Sequence, residues 1–158
     1  MKSRLRGVVV IAGVGNVLRG DDGAGPRLVE MLEKRLERAT EDALCVRVIN
    51  CGQAPENHIG STRKMRPDTI IVVDSASLGL PAGDTRILEV DDLGEHSFST
   101  HRMSPAIFMN RLKNETGANV FMLAVQPATT VLGKGLSAPV NRVLKELVAL
   151  IEGAIGQR

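Results

Sequence analysis

Short apolar runs rich in β-branched residues alternate along this chain with longer amphipathic stretches, and that rhythm leaves few folds open. The runs are Gly7 to Ala12, Leu44 to Ile49, Thr69 to Val73 and Asn119 to Val125. Among them lie stretches of helical period. One runs from Pro26, a favoured first-turn residue, to Arg38, with Leu28, Met31, Leu32 and Leu36 on one face. Others run from Pro55 to Met65, from Ser104-Pro105 onward, and from Ser137 to Ile155. Strand, helix and strand in repetition build βαβ units around a parallel sheet. The unbroken apolar run Thr69 to Val73 suits a central strand covered on both faces. Thr85 to Val90 alternates and follows the loop Leu78 to Gly83 too closely for a crossover helix, so an antiparallel or edge strand is expected there. A polar loop, Asp91 to Met103, follows it. The expected fold is α/β, a single domain over residues 1–158, with a mostly parallel twisted sheet, helices on both faces and one antiparallel strand.

Composition narrows the function classes. With 158 residues and 43% hydrophobic content the chain fills one core and is too short for two ordinary domains. A formal net charge of +2 asks for no polyanionic partner. Aromatics are 2%, all Phe, so the core is aliphatic and the stacking platforms of a single-strand nucleic-acid binder are missing. Lys2, Arg4 and Arg6 precede an apolar run, but Val8 to Ala12 is too short for the h-region of a signal peptide. No segment reaches the roughly 20 apolar residues that span a bilayer. Two cysteines, Cys45 and Cys51, are too few for a disulfide framework. On one strand, six residues at ~3.3 Å each hold them ~20 Å apart, beyond disulfide reach. A reducing cytoplasm, with no nucleic-acid or membrane partner, is the expectation.

The segment Gly13-Val14-Gly15-Asn16-Val17-Leu18-Arg19-Gly20-Asp21-Asp22-Gly23-Ala24-Gly25 joins the first strand to the first helix, where nucleotide-binding folds carry their phosphate loops. The spacing argues otherwise. A dinucleotide fingerprint needs glycine where Leu18 stands, and no Gly-Lys-Ser/Thr of a Walker loop is present. Asp21 and Asp22 would also repel a phosphate. An acidic pair near a helix N-terminus suits a cation in the crevice above the sheet, or one Asp caps the helix. Asp74 ends the third apolar run and faces the same crevice if that strand neighbours the first, or it caps the turn Ser75 to Leu78. His101 lies in a loop just before a helix and either reaches that crevice or is solvated; His96 and His58 have weaker claims. Two carboxylates and one imidazole form an open O/O/N site suited to nickel, zinc or iron rather than calcium.

Several stretches together resemble the hydrogenase maturation endopeptidase family, nearest to its formate-hydrogenlyase-linked branch. They are Gly-Val-Gly-Asn at 13–16, Gly-Asp-Asp-Gly-Ala-Gly-Pro at 20–26, Ala-Pro-Glu-Asn at 54–57, Arg66-Pro67, Val73-Asp74 with Gly79-Leu80, Thr100-His101 and Gln126-Pro127. The resemblance implies a five-stranded twisted sheet and an endopeptidase that removes a C-terminal peptide from the precursor of a nickel-iron hydrogenase large subunit. It implies Asp22, Asp74 and His101 as ligands of nickel carried by the substrate, with no resident metal; catalysis is expected to depend on the same three groups, and the enzyme to be a monomer. One departure stands out: the family has Asp-Gly-Gly after its second strand, and this chain reads Asn50-Cys51-Gly52. An Asp acting there as an outer partner of the metal site would be missed. No His-Glu-x-x-His motif and no Gly-x-Ser-x-Gly elbow is present. The rival readings are a thiol hydrolase using Cys51 with a histidine, Cys51 being otherwise a small buried side chain, and a non-catalytic nickel-binding maturation chaperone.

Overall fold

The computed structural model describes residues 7–36, 45–93 and 103–155. Five strands form one sheet: β1 (Val9–Val14), β2 (Val46–Gly52), β3 (Thr69–Ser75), β4 (Thr85–Leu88) and β5 (Asn119–Val125). Their order is β2-β1-β3-β5-β4, with every neighbouring pair parallel except β4 against β5. The helices are α1 (Ala24–Leu36), α2 (Ile59–Lys64), α3 (Pro105–Thr116) and α4 (Ala138–Ile155).

Side-chain alternation along the three central strands separates two cores. Val9, Ile11, Ile71, Val73, Phe121 and Leu123 pack under α1 and α4, whose Leu28, Leu32, Leu144 and Val148 cover that face. Val10, Ala12, Ile70, Val72, Val120 and Met122 face the other way, onto Ile59 of α2 and Phe108, Met109 and Leu112 of α3. Helices on both faces explain why β1, β3 and β5 read as nearly unbroken apolar runs. The strand β4 is short, half-exposed and inverted, and it closes one edge.

Departures from expectation are local. The first helix starts two residues before Pro26 because a 3-10 turn, Gly20–Gly23, feeds directly into it. The stretch after Pro55 divides into a 3-10 turn, Pro55–His58, and the short α2. The fourth strand stops at Leu88 because Glu89 and Asp92 close a capping box around a 3-10 turn, Val90–Asp92. In α3, Ser104 caps the N-terminus by accepting from the Ile107 amide at 3.2 Å, and Pro105 is the first residue. Among the described residues no helix is long and apolar enough to cross a membrane.

Two glycines set how closely the first helix approaches the sheet. A Cβ on Gly25 would overlap the Val73 carbonyl and the Val14 backbone, and one on Gly13 would overlap the Gly25 carbonyl. The start of α1 therefore lies directly on β1 and β3, and the loop before it is pressed over the crevice between their carboxyl ends. Strand order reverses between those two strands, since the chain passes from β1 outward to β2 and then returns to β3 on the other side. Open α/β sheets bind their ligands at such a point.

Candidate active site

Beyond the carboxyl ends of β1 and β3 opens a cavity of about 710 Å³. Its floor includes Val72, Met122 and Leu88, which form one row across β3, β5 and β4. Phe108 and Met103 contribute to its wall. Asp22 and Asp74 both line it.

The adjacent carboxylates of the glycine loop go to different places. Asp21 is fully buried. One oxygen accepts the amides of Ala128 (2.8 Å) and Thr129 (3.1 Å), the other accepts that of Ser137 at 2.7 Å. Its own amide donates to the Thr129 carbonyl, and the Gly20 amide to that of Lys134. Asp21 thereby ties the loop after β1 to the loop between β5 and α4. Asp22 is only half-buried. It accepts the Asn16 amide at 3.1 Å on Oδ2 and the Ser75 hydroxyl at 3.3 Å on Oδ1. A Cβ on Gly15, whose φ is +136°, would overlap the Asp22 carbonyl, so the glycine permits the tight return that turns Asp22 toward the cavity.

Asp74 is the next-to-last residue of β3, directly after the apolar run Ile70 to Val73, and is 8% exposed. Its Oδ1 accepts the Ser75 amide at 2.8 Å, so the local turn bond foreseen from sequence is made while the side chain also borders the cavity. Ser75 thus bridges the two acids, amide to one and hydroxyl to the other. Sequence reading passed over Ser75, although an Asp-Ser step at a strand end is a signal for such bonding. It also passed over the anchoring by Asp21, whose partners lie 107 to 116 positions away and leave no local trace.

His101 and His96 lie outside the described residues. Met103, two positions beyond His101, lines the cavity. His58 ends the 3-10 turn before α2 and is half-buried, with its carbonyl accepting from Thr62. Among the described residues no three His, Cys, Asp or Glu side chains gather into a metal cluster. Two carboxylates held about one serine form an anionic corner, of the charge and donor type that suit a cation.

Cys51 does not fit the part of a nucleophile. It is 2% exposed among Val10, Ala12 and Ile59, and burial pushes its thiol up to about 12, so the thiolate that attack requires is not formed near neutrality. It sits where the pairing of β1 with β2 skips a residue, and the Gly15 amide then donates to the Gly52 carbonyl at 2.9 Å. Asn50 is exposed at that bulge, with its side-chain oxygen accepting the Gly52 amide at 3.0 Å. Cys45, just before β2, is exposed, and both thiols are free. Brief treatment of the folded protein with iodoacetamide at neutral pH is expected to alkylate Cys45 and spare Cys51, and Cys51→Ser to keep its activity. Peptide mapping by mass reads the outcome; labelling of Cys51 at the rate of Cys45 would restore the thiol reading.

Residues 26–154 match the family profile described as HycI, hydrogenase maturation protease. The chain is similar to the hydrogenase 3 maturation protease of Escherichia coli K12, with 34% identity over 91% of this chain and 88% of that protein. Among solved structures it resembles the [NiFe] hydrogenase maturation protease HycI of Thermococcus kodakarensis (TM-score 0.81, 28% identity, 94% of this chain and 91% of that one). It also resembles the endopeptidase HycI of Escherichia coli in its solution structure (TM-score 0.77, 33% identity, 94% of this chain and 90% of that one).

Proposed function

Since this chain belongs to the hydrogenase maturation protease family and is by that membership a hydrolase, we propose that it cuts a C-terminal peptide from the precursor of a nickel-iron hydrogenase large subunit. It reads the nickel already seated in that precursor through Asp22, Asp74 and His101. The observation that carries this reading is the meeting of Asp22 and Asp74 about Ser75 at the reversal point of the sheet.

The chemistry follows from the donor set. Two carboxylates and an imidazole match a borderline divalent ion, and they leave positions for the ligands that the precursor itself provides. Nickel is then part of the substrate. A precursor without it offers the anionic corner no counter-charge, so the desolvation of two acids stays uncompensated and docking is disfavoured. With nickel present, the tail next to the metal centre is held in the cavity with its scissile bond beside the carboxylates. Positioning of this kind is worth orders of magnitude in rate. Catalysis is assigned to these groups; the burial of Cys51 speaks against a thiol. The reaction belongs to the cytoplasm, and the two free cysteines are in keeping with a reducing compartment.

The test is incubation of purified protein with nickel-loaded and nickel-free precursor, with the precursor C-terminus read by mass. Shortening of the loaded form alone is expected. Equal shortening of both would remove the metal checkpoint, and retention of the loaded form without shortening would remove the protease.

A further inference from the structure

The inverted edge strand brings a third charge to the cavity. Asp74 of β3 is paired with Ala124 of β5, and Ala124 is paired with Arg86 of β4. Residues paired in one row point to the same face of a sheet, so Asp74 and Arg86 stand on the cavity side, one on each flank of the small, buried Ala124. Two interstrand spacings separate their Cα atoms by ~10 Å. Both side chains line the cavity, above the apolar row Val72, Met122 and Leu88. The cleft is therefore bipolar, with acids at one end, a guanidinium at the other and an aliphatic floor between.

Arg86 is exposed and makes no ion pair among the described residues. Among the described residues, Asp92 is the remaining charged group of the cavity wall beside Asp22 and Asp74, and its Oδ2 accepts the Glu89 amide at 2.8 Å. An arginine held on a strand at a cavity mouth, with no carboxylate of its own among the described residues, is suited to receive one from outside, since its planar fork matches a carboxylate in two parallel hydrogen bonds.

Building on the reading above, we propose that Arg86 determines substrate specificity by binding an acidic side chain of the precursor's cleavage region. An extended peptide advances ~3.3–3.6 Å per residue, so ~10 Å corresponds to about three residues. The acid lies about three positions from the residue held at Asp22 and Asp74, and an apolar side chain between them rests on Met122 and Leu88. Asp92 opposes the acid at longer range and tunes the affinity downward.

A binding titration tests this without requiring cleavage. Fluorescein-labelled nickel-loaded precursor, and versions with each Asp or Glu of its cleavage region changed in turn to its amide, are titrated briefly on ice with wild type, Arg86→Ala, Arg86→Lys and Asp92→Asn. One amide change is expected to weaken binding to wild type on the order of tenfold, between the effects of an exposed and a buried ion pair, and to have no further effect on Arg86→Ala. Arg86→Lys keeps part of the affinity, Asp92→Asn binds more tightly, and added salt narrows all these differences. A nickel-loaded precursor bound equally tightly by wild type and Arg86→Ala, or a set in which no acid is coupled to Arg86, overturns the proposal. Because the readout is binding, that failure is separate from the failure of nickel-dependent cleavage, which the precursor incubation decides.

Discussion

Asp22→Asn is expected to leave a folded protein that no longer shortens a nickel-loaded precursor, with a loss of more than about 100-fold in rate. Changing only an outer partner of a metal ligand typically costs ~10–100-fold, and a direct ligand stands above that range. The substitution removes one negative charge from the anionic corner and almost no volume. Its bonds to Asn16 and Ser75 can be kept: the amide oxygen accepts from the Asn16 amide, and the amide nitrogen donates to the Ser75 hydroxyl, which reverses its role. Stability should consequently stay within about 1 kcal/mol of wild type. The measurement is the mass of the precursor C-terminus over time, beside a thermal melt of the variant. Wild-type cleavage by a folded Asp22→Asn protein would sink the assignment of this residue, and Asp74→Asn serves as the parallel case.

One position earlier the same chemistry has a different consequence. Asp21→Ala removes a fully buried carboxylate that accepts the amides of Ala128, Thr129 and Ser137. A buried donor left unmade costs about 1–3 kcal/mol; Thr129 and Ser137 are half-buried and Ala128 is exposed, so water recovers part of the sum and a loss of about 2–4 kcal/mol is expected. For a chain of this size that is a fall in Tm on the order of 10 °C. Asp21→Asn keeps one acceptor but turns a donor toward another donor, and should fall between. Urea unfolding gives the free energy, and amide exchange at 128, 129 and 137 reports whether the loop has come loose. A midpoint equal to wild type would mean that the loop after β5 is held by other contacts. Neighbouring aspartates thus part along two axes, Asp22 in activity and Asp21 in stability.

The departure at Asn50 and Cys51 bears on the site less directly than its place in the sequence suggests. Asn50 spends its side-chain oxygen on the Gly52 amide and is solvent-exposed, while Cys51 fills the apolar layer beneath α2. Neither residue lines the cavity that Asp22 and Asp74 share.

Much of the architecture was legible before any coordinates, because strand and helix periods are local properties of a chain. Thr69 to Val73 reads as a central strand since burial on both faces removes polar alternation, and β3 is buried along nearly its whole length. The fifth strand, Asn119–Val125, was bounded correctly for the same reason. Helix starts were off by two and four residues where a 3-10 turn leads in, a detail with no periodic signal of its own. That the glycine loop lacks the spacing for nucleotides followed from sequence alone; Asp74 was expected at the crevice on condition that its strand neighboured the first, which it does.

What sequence left open was where each side chain of the loop goes. Asp21 and Asp22 are the same residue type in a single turn, and only the backbone path past Gly15 and Gly20 sends one into a buried net of amides and the other to the cavity. The bridging by Ser75, the burial of Cys51 and the place of Arg86 across from Asp74 likewise depend on register and on elements distant in the chain. Period and composition specify which faces are apolar. Which charges meet across the crevice is a matter of how those faces stack, and that is decided only when the sheet and its helices are assembled.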